Sequence, residues 1–350
     1  LYARGPFVPL RHARFRALWL AGLVSFLGTW VHNVAARWTA TSLAASPVLV
    51  SAVDTIQLLP MVIFTLAAGR LADRSDRRRL LIATHIGLSS VALVMAAFAW
   101  GGRLGMGQLL GLTACIGAFG AINGPAWQAT VPRQVPDEEV PKAVALMSTG
   151  FNLARAVGPG LGAWLLVHAG AGWAFLANAV SYALIGALLW GLPPQPPWPD
   201  PAPAQPLQDP RLVRFYLVVA AFGLFAMPSL SLLPVVTRDL LAGDASDYGV
   251  LLSAFGAGAV SAGLVVASSA QRFGERRVIA FTTLLAAVGF GLLGAAESFP
   301  VAAAGAGVAG AGWIGTLSTI NAGVQMASDR ATRGRALAWY LTFAVGGQAT

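Results

Sequence analysis

Gly69-Arg70-Leu71-Ala72-Asp73-Arg74-Ser75-Asp76-Arg77-Arg78-Arg79 packs five arginines and two aspartates into eleven residues of a chain that is only 11% charged. Apolar runs flank it on both sides, at residues 48–68 and 80–100. Each run is long enough to cross a bilayer, which takes roughly 20 apolar residues. A short arginine-rich connection between two such runs reads as a cytoplasmic loop, because Lys and Arg are retained on that side.

The rest of the chain repeats the pattern. Its 350 residues are 56% hydrophobic, with a mean hydropathy of +0.67; soluble domains carry roughly 25% charged residues. Apolar segments lie at 17–44, 48–71, 80–100, 106–129, 143–167, 173–192, 212–237, 248–270, 278–296 and 300–326, and an eleventh begins after Arg335. Their length excludes spanning strands, which need about 9–11 alternating residues. The 40 glycines and 21 prolines suit membrane helices, where small residues allow close packing and neighbouring helices re-satisfy freed backbone. The single Cys115 excludes an intrachain disulfide. The first segment is too long for a cleavable signal peptide. The chain begins without methionine and ends inside an apolar run, so the expectation is a piece cut within helix 11.

Of the 23 basic residues, nineteen fall in the amino end and in alternate loops, three (Arg37, Arg103 and Arg238) at the opposite side, and Arg155 inside a span. That asymmetry places the amino terminus and the proline-rich stretch 193–210 in the cytoplasm, in a cell inner membrane. It also argues against nucleic acid as the reason for the net charge of +9. The stretch 193–210 cannot bury enough apolar surface to fold and reads as an extended linker.

An internal repeat runs through the chain at an offset of about 200 residues. Arg11-x-x-Arg14-Phe15 recurs as Arg211-x-x-Arg214-Phe215, Arg77-Arg78 as Arg276-Arg277, and Asn123 as Asn321. The reading is therefore an amino-terminal six-helix half, 1–192, the linker, and a carboxy-terminal half, 211–350. Repeated halves are a mark of secondary transporters. The stretch 69–78 resembles the loop two–three motif of the Major Facilitator Superfamily, Gly-x-Leu-Ala-Asp-Arg-x-Gly-Arg-Arg, with Asp76 in place of the second glycine. Leu18-Trp19-Leu20, Gly28-Thr29-Trp30, residues 76–81 and Asn152-Leu153-Ala154-Arg155-Ala156-Val157-Gly158-Pro159 resemble its enterobactin-exporter-like branch. The resemblance implies an all-α membrane fold of two six-helix halves that rock around a midplane site.

The same resemblance implies a cytoplasmic gate of Gly69, Asp73, Arg74, Arg77 and Arg78, with Asp73 as a latch toward helix 11. It also implies an export-associated motif in helix 5, Gly158-Pro159-x-x-Gly162 with Arg155, which lets helices 5 and 8 approach. The cavity helices 1, 4, 7 and 10 offer Trp30, His32, Asn33, Asn123, Trp127, Phe222, Trp313, Thr316, Asn321 and Gln325 as candidate lining residues. Independently of any family, charges in lipid are costly and mark function or pairing. Arg37 and Asp54 fall at similar depth on helices 1 and 2 and are expected to pair, and Asp54 is the leading candidate for proton coupling. No nucleotide-binding loop, metal-ligand cluster or nucleophile–base constellation is present in the sequence. The expectation is a monomeric, cofactor-free, proton-coupled exporter of a small organic molecule, siderophore or drug-like, with the lipid bilayer, protons and substrate as its partners. The alternatives are an importer or uniporter of the same fold, or a non-transporting sensor or lipid-handling protein.

Overall fold

In lipid every backbone polar group must be satisfied within the protein, and a long apolar run does this by forming a helix. The computed structural model describes residues 5, 7–43, 46–194, 209–328, 336, 339–340, 342–344 and 346–347; within its helices the side chains of 61–62, 65–74, 129, 152, 156 and 267 are not described. Among the described residues there is no strand. The helices are α1 (Ala13–Leu43), α2 (Pro47–Arg74), α3 (Arg77–Trp100), α4 (Met106–Thr130), α5 (Val140–Ala169), α6 (Ala171–Trp190), α7 (Pro210–Ser231), α8 (Ala245–Phe273), α9 (Glu275–Gly294) and α10 (Phe299–Ala327). After α7 come a short turn of helix, Leu233–Val235, and a π-helical turn, Val236–Leu240.

Eight of these are long and apolar enough to cross a membrane by length and composition: α1, α3, α4, α6, α7 with its extension, α8, α9 and α10. At 30 residues α5 has the length, but Lys142, Ser148, Thr149 and Arg155 dilute its apolar character. For α2 the described apolar part is Pro47–Pro60. Gly170 (φ 88°) and Gly274 (φ 84°) join α5 to α6 and α8 to α9 through single residues in a conformation that side chains rarely adopt.

The chain divides into two compact units, Leu1–Thr39 with Ile63–Pro201, and Ala40–Val62 with Ala202–Thr350. In the first unit α3 packs against both α4 and α6. A core of Phe15, Leu18, Leu81, Ala126, Trp127, Leu146 and Leu189 joins α1, α3, α4, α5 and α6. In the second unit α10 packs along both α8 and α9, whereas α8 and α9 touch each other little. Glycines make the α10 seams. A Cβ on Gly258 would lie 1.9 Å from the Gly307 carbonyl oxygen, and one on Gly310 would lie 1.9 Å from that of Phe255.

Each unit has a polar tie that uses a threonine at the same repeat position but a different partner. On α3 the Thr84 hydroxyl accepts from Asn123 Nδ2 of α4 at 2.9 Å. The residue 198 positions on, Thr282 of α9, shares a 2.9 Å hydroxyl–hydroxyl bond with Thr316 of α10. Each tie pins the same pair of helices in its own half of the chain, where a hydrogen bond is worth about 0.6 kcal/mol on average.

Candidate functional site

The arginine stretch ends where α3 begins, and Asp76 makes that start. It has extended backbone (φ −62°, ψ 107°), and its carboxylate accepts from Arg78 N at 3.0 Å. A carboxylate at an N-cap satisfies one of the orphan amides of the first turn. Its favourable field with the positive helix end adds to this. The departure from the glycine motif is thus a helix cap, and Gly274, its counterpart 198 residues on, starts α9 without a side-chain cap. Asp76→Ala is expected to lower stability by about 1 kcal/mol, and Asp76→Gly by only a few tenths. Thermal unfolding of the purified protein distinguishes them, and equal losses would remove the capping role.

Arg78 reaches across to the far end of α6. Its Nε donates to the Leu189 carbonyl at 3.1 Å and its Nη2 to that of Trp190 at 2.6 Å. The last carbonyls of a helix lack intrahelical donors and carry about half a negative charge, so the guanidinium closes α6 and ties it to α3. Arg77 is 3% exposed, whereas Arg276 and Arg277, at the start of α9, are exposed. The side chains of Gly69, Asp73 and Arg74 lie outside the described residues.

A second group occupies the seam between α1 and α5. Trp19, Gly22, Phe26 and Trp30 lie three or four residues apart on α1, one stripe of the helix, and Met147, Phe151, Arg155 and Gly158 do the same on α5. Trp19 Nε1 donates to the Leu146 carbonyl at 2.9 Å. The Phe26 and Phe151 rings meet edge to face at 5.3 Å. The Arg155 guanidinium lies 5.4 Å from the Phe151 ring and 6.0 Å from that of Trp30. A Cβ on Gly158 would sit 2.5 Å from Trp30 Cβ, and one on Gly162 would sit 2.9 Å from Val31 Cα. Both motif glycines therefore allow close contact with α1. Pro159, inside α5, is buried between them.

In the second unit Asp54 is 5% exposed and its Oδ2 accepts from the Ser231 hydroxyl at 2.5 Å. Arg238, on the π-helical turn, donates to the Thr41 carbonyl and to both carboxylate oxygens of Asp239. Arg37 is 5% exposed in the first unit. Trp313 of α10 is buried among Phe222, Phe255 and Phe290, with ring centres 5.4, 5.9 and 6.4 Å away.

The remaining candidates are dispersed. His32 is buried edge-on against Phe175 of α6. Asn33 is half-buried on α1. Asn123 bonds Thr84 and His85, the latter at 3.0 Å. Gln325 Nε2 donates to Asn321 Oδ1 at 2.6 Å within α10. Trp127 is 8% exposed, and its Nε1 has no hydrogen-bond partner.

Residues 4–350 match the family model described as "Transmembrane secretion effector", one of the Major Facilitator Superfamily. The chain belongs to this family. Relatives of this chain include an uncharacterized MFS-type transporter of Bacillus subtilis, 28% identical over 49% of this chain and 40% of its own length. The staphyloferrin A transporter of Staphylococcus aureus is 23% identical over 77% of this chain and 70% of its own. The chain thus spans less than half the length of the first relative and about two thirds of the second. A solved bacterial homolog of the human lysosomal transporter Spinster superposes with a TM-score of 0.76 at 15% identity, covering 97% of this chain and 81% of that one. A bacterial homologue of the iron transporter ferroportin gives 0.71 at 14%, covering 96% and 89%. The fold is that of Major Facilitator Superfamily transporters, a family of transporters and not of enzymes.

Three groups were not singled out by sequence reasoning: the Arg78 clasp on α6, the Trp19–Phe26 stripe on α1 and the Ser231 partner of Asp54. For the stripe the signal was available, aromatic residues at helical spacing in residues 19–30. The clasp and the serine pair residues 111 and 177 positions apart, and no local pattern announces such contacts.

Proposed function

We propose that the chain is a proton-coupled exporter of a small organic molecule, siderophore or drug-like, of the enterobactin-exporter-like branch. It works as a monomer by alternating access in the cell inner membrane, with its amino terminus and proline-rich linker in the cytoplasm. The observation that carries this reading is the buried carboxyl of Asp54 beside the Ser231 hydroxyl. A hydroxyl both donates and accepts. It donates to the ionised carboxylate, and it accepts from the protonated acid once its own hydrogen has turned away. The pair therefore serves both protonation states without stranding a buried polar group, which is what a proton carrier needs. Membrane-embedded acids in such settings mark proton pathways. The family description and a relative that carries staphyloferrin A support export of an organic cargo.

The test uses inverted membrane vesicles with an acidic interior. Catecholate chelators, carboxylate chelators and hydrophobic cations are added in turn, and substrate-induced proton leak is followed. A leak is expected with at least one class in the wild type, and its loss is expected in Asp54→Asn that still folds and binds. A leak of unchanged size in the variant would return Asp54 to a structural role.

A further inference from the structure

We propose that a groove at the start of α5 holds an anionic phospholipid, with its phosphate on Lys142 and the first part of an acyl chain along Ala145, Leu146 and Thr149. The site does not depend on the exporter reading, which supplies only the leaflet, the cytoplasmic one.

A clasp at the amino end builds the groove. A 3-10 turn, Val8–Arg11, leads into α1. Arg11 Nη2 donates to Glu139 Oε1, and His12 Nε2 lies 3.0 Å from Glu139 Oε2. Glu139 is 8% exposed and stands at the N-cap of α5. Two turns into α5, the Leu146 carbonyl accepts from Trp19 of α1. Held at both points, the segment before α1 lays Phe7 beside the first turns of α5. Phe7, Lys142, Ala145, Leu146 and Thr149 line a cavity of about 290 Å³ there. All of them except Leu146 are exposed, so the cavity opens outward. Its size is near the lower limit of small-molecule sites, roughly 300–1,000 Å³, which suits a headgroup and a short length of chain.

Lys142 is the only lysine among the 23 basic residues of the chain. Among the described residues its ammonium has no hydrogen-bond or ion-pair partner. Lysine binds phosphate as a point charge, and its flexible stem lies along apolar surface while the charged head follows its partner. Residues 11–16 and 133–142 hold five Arg and Lys against three acids, and Arg11 and His12 already take Glu139. The net positive charge left at this end of the helices attracts anionic lipid. The rest of the wall is apolar, since the Thr149 hydroxyl is spent on the Ala145 carbonyl at 2.9 Å. Lys142, Ala145, Leu146 and Thr149 share one face of α5 at helical spacing. From Lys142 to Thr149 that face runs about 10 Å at 1.5 Å per residue. Phe7, 53% exposed, is a large ring that an acyl chain would cover. A charged head on an apolar chain therefore meets every part of the groove. A soluble anion would leave the wall bare, and a neutral apolar molecule would leave the ammonium unmatched.

The experiment titrates the purified full chain in a non-ionic detergent with phosphatidylglycerol or with phosphatidylcholine, and counts retained lipids in native mass spectra. Wild type is expected to hold one phosphatidylglycerol about fivefold more tightly than phosphatidylcholine, the effect of a single lysine on anionic lipid. Lys142→Gln is expected to bring phosphatidylglycerol down to the phosphatidylcholine level and to leave phosphatidylcholine unchanged, which also shows that the variant is folded. Phe7→Ala is expected to weaken both lipids by a similar factor and to keep the preference. Arg103→Gln, which removes the same charge from the exposed turn between α3 and α4, is expected to change neither. An excess of glycerol phosphate is expected to displace neither lipid, because it has no chain for the wall. Three results would overturn the proposal: no preference in wild type, a full preference in Lys142→Gln, or an equal loss in Arg103→Gln. Displacement of the lipid by glycerol phosphate would overturn it too, and would make the groove a site for soluble phosphates.

Discussion

Gly310→Ala is expected to lower stability by about 3 kcal/mol or more, at the upper end of overpacking costs. The added methyl would stand 1.9 Å from the Phe255 carbonyl oxygen and 2.7 Å from its carbonyl carbon. Both are backbone atoms of α8, so no side chain can turn away to make room. The helix itself must retreat, and with it the contacts along α8 and α10. In lipid such contacts are the main attraction between helices, because burial of apolar surface contributes little there. Gly258→Ala is expected to do the same through the Gly307 carbonyl. Two controls come from the same unit. A Cβ on Gly291 or Gly294 of α9 meets nothing within 4 Å, and alanine there is expected to be neutral or to stabilise by about 0.5–1 kcal/mol. Unfolding in mixed micelles ranks the four variants, and a Gly310→Ala protein as stable as Gly291→Ala would refute the seam.

Trp313→Ala is the second large effect, with an expected loss of about 3–5 kcal/mol. The indole is 4% exposed and fills the space among Phe222, Phe255 and Phe290, which come from α7, α8 and α9. Its removal leaves three rings facing a void that they can close only by shifting helices. The edge-to-face ring contacts add about 0.5–1.5 kcal/mol each beyond the buried area, so Trp313→Phe is expected to recover more than half of the loss. The measurement is thermal unfolding of the purified chain. A loss below about 1 kcal/mol, far under the range for a buried tryptophan, would place Trp313 outside the core of its unit and restore it as a candidate for cargo contact.

How much of this was legible in the sequence follows from what a bilayer demands. Length and apolarity declare a helix, so the helices α1 to α10 lie close to the segments read from the sequence. The arginine stretch ends where α3 starts, as its charge pattern suggested. Facing directions were not legible. A helix apolar on all sides has no polar face to show which way it turns, so Gly158 and Gly162 gave no sign that they meet Trp30 and Val31. The role of Asp76 was hidden for a different reason: as a departure from a motif it looked like a loss, and only its backbone angles reveal a cap. The π-helical turn at Val236–Leu240 likewise has no sequence marker stronger than the proline two residues before it. The buried state of Asp54 followed from its position alone, since an acid deep in an apolar run has nowhere else to go.

The packing of α8 and α9 on α10, with little contact between themselves, has a consequence for the chain's birth. Both are made before the helix that holds them. Residues 295–327 must still be added after α9 is complete, which takes about 2–7 seconds at 5–20 residues per second. For that interval two inserted helices with carbonyl-lined glycine notches stand open to lipid and to one another. A pause in translation between α9 and α10 would prolong the exposure, and a slow mutant of α10 would hand both helices to membrane quality control before their partner arrives.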